Sequence, residues 1–448
     1  MAACKLPAEL ASWIAPLASM LHGRVAWRLL PLLVGALFAR GRKTVASWLR
    51  GGRLGGDFKA YYYFLGSLGR NVKSVAAQLF RRAIQVVEPG ERLLLAIDDT
   101  PTKRYGRHVE GAGIHHNPTP GPADQKFVYG HVWVTLSWVV RHTLWGTIGL
   151  PLLALLYVRQ KNIKSIAPWY RVKFQTKLQQ AAALVEWTVQ TLRWLGKTLW
   201  FVSDGAYAKR ALLRAVQAAG AILVSRLRKD AALWSVPPTT KPGQPRKGRS
   251  RGRPRKYGSE RISLAKRAGH RRGWQQAEFV LYGAKVHKTY KTFLATYKPA
   301  GGLIRVVLVK EPQSWVAFFC TKPDATVQEI LEAVADRGAI EQNFHDLKEV
   351  HGTGQQQVRN YWANIAAYHV TMWWHTLIEL WAWRKPHHQL SDRRASPWDD
   401  PARRPSHADR RNALRRQCLQ NEFPRAGVAG TITRKIRRLW DYVMKLVA

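Results

Sequence analysis

The chain has 448 residues, of which 46% are hydrophobic, and carries 72 Lys plus Arg against 28 Asp plus Glu, a formal net charge of +44. That apolar content excludes a disordered chain, and the length leaves room for two to four domains. The positive excess runs the whole length. Self-repulsion on this scale points to a polyanionic partner, and nucleic acid is the obvious one.

Twenty Trp residues add aromatic surface that suits stacking on unpaired bases, although most are expected in cores. Cys4, Cys320 and Cys418 form no CxxC pair and no zinc spacing, which predicts a reducing, intracellular compartment. Glu9 and Pro16 interrupt the N-terminal apolar run, so it does not read as a signal peptide. Residues 132–158 are the most membrane-like stretch. Arg141 and His142 cut it and Gly149-Leu150-Pro151 breaks its second half, leaving neither half near the ~18 uncharged residues needed to span.

Residues 1–90 read as helical. Apolar clusters recur at helical spacing through Val25 to Phe38, Val45 to Leu49 and Val75 to Val87, with basic, Gly-containing turns between them. This is compatible with a helix-turn-helix-like, DNA-binding unit. Leu93 to Ile97 followed by Asp98-Asp99-Thr100 predicts a strand buried on both faces and ending in acids. A loop rich in Gly, Pro and His covers 105–124. Its His115-His116 pair reads as a turn or DNA contact. Phe127–Val140 and Thr143–Val158 follow as two more strands. Residues 173–195 form an amphipathic helix, Thr198–Ser203 a buried strand ending at Asp204, 206–219 a helix and 221–227 a strand. The order is βββαβαβ, an α/β pattern with acids at two strand ends.

Residues 235–259 change character, with five Pro and a dense Lys/Arg run. Within them, Arg251-Gly252-Arg253-Pro254 has the form of an AT-hook core, with Arg251 and Arg253 suited to a narrow A·T minor groove; a generic basic linker is the competing reading. Residues 261–320 read as β-rich. Thr326-x-x-Glu329 is a capping box, so a helix begins there. It leads into Arg337, Glu341 and Lys348, whose offsets fall at about 0°, 40° and 20° around a helix. Ala363–Trp383 is a Trp-rich apolar helix. Residues 384–430 have the composition of a poorly ordered tail, and 431–445 the pattern of a short amphipathic helix.

Three acids stand out: one of the Asp98–Asp99 pair, Asp204 and Glu341. Three carboxylates at one sheet edge would hold two Mg²⁺ ions against phosphate oxygens, with Mn²⁺ as a substitute. No Cys or His cluster is visible that would offer a zinc alternative. Alternation puts Asp98 and Asp99 on opposite faces of their strand, so one of them points at such a site.

Here the sequence resembles the DDE transposases of bacterial insertion sequences, in the group with a Tyr-x2-Arg-x3-Glu-x6-Lys signature. Ile97-Asp98-Asp99-Thr100, Val202-Ser203-Asp204-Gly205 and Arg337-x3-Glu341-x6-Lys348 carry the likeness. Two positions depart from it: the signature Tyr falls at Val334, and Gly338 stands where the group often has Trp.

The resemblance implies an RNase H-like catalytic core with a β-rich insertion, behind an N-terminal helical domain. The expected divisions are 1–90 for DNA binding, 91–230 and 321–383 for the core, 231–320 for the basic linker and insertion, and 384–448 for a basic tail. It implies that Asp99, Asp204 and Glu341 are the metal-holding catalytic carboxylates, with Asp98 the alternative first acid. Arg337 and Lys348 would contact DNA phosphate. The implied activity is binding of transposon ends, cleavage there and joining of the 3′-ends to target DNA, by a homodimer on double-stranded DNA in the bacterial cytoplasm, on the nucleoid. A nuclease without strand transfer and a non-catalytic DNA-binding derivative are the alternatives.

Overall fold

The sequence alternates between two packing problems, and the chain solves them in two compact units. The computed structural model describes residues 5–117, 125–237, 255–391, 393, 398–400 and 402–422. The first unit is Met1–Pro89, Asp99–Gln175 and Ile340–Ala448; the second is Gly90–Asp98 and Thr176–Ala339. Arg251, Arg253 and the 431–445 helix lie outside the described residues.

Six helices open the chain: α1 (Ala8–Ala18), α2 (Gly23–Ala26), α3 (Leu29–Phe38), α4 (Val45–Gly51), α5 (Phe58–Arg70) and α6 (Val72–Val87). Then come β1 (Arg92–Lys103), β2 (Gly113–His116), β3 (Phe127–His142), β4 (Gly146–Tyr157), α7 (Lys177–Leu192), β5 (Thr198–Ser203), α8 (Arg210–Ala218) and β6 (Ile222–Leu227). The β-rich stretch holds β7 (Leu233–Trp234), β8 (Arg261–Ile262), α9 (Leu264–Gly269), β9 (Gln275–Leu281), β10 (Ala284–Tyr297), β11 (Gly302–Lys310) and β12 (Trp315–Cys320). The chain continues through α10 (Val327–Asp336), α11 (Gly338–Glu349), α12 (Tyr361–Ala382), α13 (His387–Leu390) and α14 (His407–Glu422).

The first unit is built around α12, which is buried along its whole length. A helix buried all round needs partners on every side, and α3, α5, α6, α14 and β4 supply them. Two of its buried indoles are satisfied by backbone carbonyls: Trp373 Nε1 donates to Leu152 O at 3.2 Å and Trp374 Nε1 to Leu33 O at 2.8 Å. Tyr368 stacks on Trp133 of β3 with ring centroids 4.0 Å apart. Close approach of α5 depends on Gly69, where an added Cβ would lie 2.0 Å from the Trp362 carbonyl oxygen. The N-terminal helices therefore share their core with α12. Residues 132–158 form the antiparallel pair β3–β4, as expected of two strands joined by a turn. No described helix is long and apolar enough to cross a membrane.

The second unit is a mixed sheet. The N-terminal half of β1 pairs in parallel with β5, and β5 in parallel with β6. From β6 the order continues β12-β11-β10-β7-β8, antiparallel throughout, with β9 also on β10. Leu93 and Leu95 to Ile97 are fully buried, as their unbroken apolar run demands. The capping box of α10 forms as read from Thr326 and Glu329, and a second at Thr176–Gln179 starts α7 four residues later than periodicity alone suggested. Phe174 is left outside that helix, 39% exposed.

One region of the first unit differs from its composition. Residues 407–422 form helix α14 where irregular chain was expected. The reason is pairing: Arg410 Nη1 lies 2.6 Å from both oxygens of the buried Glu379 carboxylate on α12. Arg411 donates to Leu37 O at 2.8 Å. Charge alone reads as solvated tail; a buried acid on another helix turns it inward.

Candidate active site

In the second unit, the parallel register ends with Ile97 opposite Ser203; β5 stops there, one residue before Asp204, whereas β1 does not end in acids as expected but continues through Asp98 and Asp99 to Lys103. Asp204 is exposed; its Oδ1 accepts from the Gly205 amide at 2.5 Å, and its carbonyl oxygen accepts from the Tyr207 amide at 3.0 Å. That turn delays α8 to Arg210, four residues later than expected, and holds the carboxylate at the lip of the sheet.

Helix α10 is keyed to β1 at both ends. Arg92 lies 3.1 Å from Glu332 and 3.7 Å from Glu329, and Arg337 Nη1 lies 2.8 Å from Asp98 Oδ2. Arg92 and Asp98 are six residues apart and so share a face of β1, while Asp99 takes the opposite one. Arg337 sits at the one-residue interruption between α10 and α11, still with helical dihedrals (φ −53°, ψ −32°). Gly338 follows in negative φ, and an added Cβ there would meet nothing within 4 Å.

Asp99, Glu341 and Lys348 belong to the first unit. Helix α11 buries Ile340, Asn343, Phe344 and Leu347 and leaves Glu341 exposed and Lys348 half-buried. Asn343 clamps it: Ser137 Oγ donates to Asn343 Oδ1 at 3.0 Å, and Asn343 Nδ2 donates to Gly149 O at 2.9 Å. A Cβ at Gly149 would lie 2.2 Å from Asn343 Oδ1, so the glycine is what lets the amide reach the β4 backbone. Asn343 gave no sequence signal, because nothing marks a single amide on a helix as a clamp. The three carboxylates Asp99, Asp204 and Glu341 offer only oxygen donors, the chemistry Mg²⁺ and Mn²⁺ prefer.

Two further features went unread in the sequence. A cleft of about 700 Å³ in the first unit is lined by Tyr62, Tyr63, Arg70, Tyr170 and Arg359, among others, with Tyr63 81% exposed. Its aromatic rings and two guanidinium groups are the mixture that stacks on bases and pairs with phosphate. The second feature corrects an expectation. The sequence shows no His cluster, yet the folded chain makes one. Among the described residues, one group of three metal-capable side chains has ligand atoms within 4.8 Å of one another: Asp346, His375 and His407, all buried. They come from three helices, far apart in sequence, so no spacing motif could reveal them.

The family model for the DDE superfamily endonucleases matches residues 16–279, more than half of the chain. The matched span contains Asp98, Asp99 and Asp204 and ends before Glu341. No curated protein is significantly similar in sequence. The chain belongs to the DDE superfamily endonucleases.

Proposed function

From that membership we infer a DNA transposase: a protein that binds the terminal repeats of its element, cleaves DNA there and joins the 3′-ends to target DNA. The observation that carries this reading is the parallel β1–β5 register, which runs out at Ile97 and Ser203, one residue before Asp98 within β1 and before Asp204 just past β5, in a chain of net charge +44. The order β1 to β4, α7, β5, α8, β6, which is the expected strand and helix order with the short β2 added, supports an RNase H-like core. Asp99, Asp204 and Glu341 are the proposed carboxylates for two Mg²⁺ ions. When bound, such ions supply an activated water or 3′-hydroxyl and stabilise the leaving oxygen.

The protein's own groups do the rest. Asp98 holds Arg337 at 2.8 Å, so Asp98 is a positioning group and Asp99 the metal carboxylate of the pair. Arg337 and Lys348 supply phosphate contacts, and the Tyr62–Tyr63 cleft a place for DNA to lie. A homodimer on DNA is the proposed working form, because two ends must be joined. The β1–β5 register favours a second reading in which Asp98, across from the Asp204 position, takes the metal instead.

The test is Mg²⁺-dependent cleavage and strand transfer on DNA carrying the element's own ends. Joined product supports the transposase; cleavage without joining leaves only a nuclease, and neither activity leaves a DNA-binding derivative. Asp99→Asn should abolish cleavage while Asp98→Asn only weakens it; the reverse pattern establishes the second reading. DNA binding should weaken steeply with salt, by about 10³-fold or more between 50 and 200 mM if six or more phosphates are contacted.

A further inference from the structure

The geometry points to a buried Zn²⁺ site in the first unit, formed by Asp346, His375 and His407 with His351 at its edge, that fastens helix α14 to α11 and α12. It is separate from the carboxylates proposed for Mg²⁺ and does not depend on them.

The four side chains are each at most 8% exposed. His375 Nε2 lies 3.5 Å from Asp346 Oδ2. The imidazoles of His375 and His407 stack with centroids 4.0 Å apart and planes within 12°. His351 Nε2 lies 2.8 Å from His407 Nε2. Three imidazoles and one carboxylate thus crowd one dry volume.

Two of their outward atoms are already held. His407 Nδ1 is 2.6 Å from Glu379 Oε1, and Arg410 in turn holds Glu379. A carboxylate on one imidazole nitrogen directs the lone pair of the other inward, the outer-shell pattern of histidine metal ligands. Asp346 Oδ1 accepts from Gln342 Nε2 at 2.9 Å, so Oδ2 is the oxygen turned toward His375.

The His351–His407 Nε2–Nε2 contact needs one ring as donor and the other as acceptor, which the Glu379 contact at His407 Nδ1 allows, but His375 Nδ1 is buried with no hydrogen-bond partner.

The donor set selects the ion. Nitrogen-rich sites with one carboxylate suit Zn²⁺ in tetrahedral geometry, whereas Mg²⁺ prefers oxygen. With Zn–N near 2.0–2.1 Å, two ligand nitrogens stand about 3.3 Å apart. The His351–His407 contact would open by about half an ångström to admit His351 as the fourth ligand; otherwise a water completes the site.

The experiment uses the full chain, produced without a polyhistidine tag in zinc-supplemented medium. Metal analysis should find about one Zn per chain, and Co²⁺ exchange should give the visible absorption of a tetrahedral N/O site. His375→Asn and His407→Asn should each remove the bound Zn. Glu379→Gln should weaken Zn binding by about 10–100-fold, while Asp204→Asn should leave Zn content unchanged. Wild-type protein without Zn and without a tetrahedral Co²⁺ spectrum overturns the proposal, whether or not the variants fold. So does Zn that survives both His substitutions.

Discussion

Glu341 and Asp346 lie five residues apart on the same helix, and the fold gives them opposite surroundings. A five-residue step turns about 140°, enough to put Glu341 in solvent and Asp346 among buried histidines. An exposed carboxylate keeps its charge cheaply and can take a hydrated cation and a phosphate. A buried one persists only because partners surround it. The same residue class therefore serves two chemistries, and the helix face decides which.

The sharpest way to break this comparison is substitution at both positions. Glu341→Ala should cut Mg²⁺-dependent cleavage by about 10³-fold or more, the loss of several kcal/mol of charge stabilisation. Its thermal stability should stay within about 0.5 kcal/mol of wild type, because the site is exposed. Asp346→Ala should do the opposite, lowering stability by about 1–3 kcal/mol through its unpaired neighbours while folded molecules still cleave. Denaturant titration and cleavage assays on both variants decide it; equal loss of activity with equal stability would erase the distinction.

Asn343 tests how α11 holds the two faces apart. Asn343→Ala should cost about 1–3 kcal/mol in urea unfolding, since a buried carbonyl and hydroxyl lose their partner. Tyr63→Ala in the aromatic cleft should weaken single-stranded DNA binding by about 1–3 kcal/mol in a fluorescence titration and leave stability unchanged. An unchanged affinity would remove the cleft from the DNA path. The smallest effect is expected at Gly338→Ala. Open space surrounds that position, so the variant should gain up to about 1 kcal/mol and a slightly higher Tm.

The buried runs that lead into the acids were legible because two signals coincide there, an unbroken apolar run and an abrupt carboxylate, although β1 continues past its acids to Lys103. Leu93–Ile97 and Leu199–Ser203 could hardly be anything but buried strands. Thr326 and Glu329 were legible because a capping box is local chemistry. The histidine cluster was not, because His351, His375 and His407 meet only through tertiary packing. The α14 helix escaped for a related reason. Its Arg-rich composition reads as solvated until Glu379 is seen to be buried opposite it. The break beside Arg337 was half legible: Gly338 marks it, but nothing in the sequence says that Arg337 reaches Asp98.

Helix α12 has a consequence for the order of events during synthesis. Its partners α3, α5, α6 and β4 are all translated before residue 160, yet α12 itself ends at Ala382. At ~5–20 residues per second, the ribosome needs about 10–45 s to cover that gap. Throughout it, the faces of α3, α5 and α6 that meet α12 have no native cover. The second unit, with most of its sheet encoded between Thr198 and Cys320, can close first. The nascent chain should therefore lean on chaperones for its N-terminal third, and truncation before residue 361 should yield aggregate rather than a smaller folded protein.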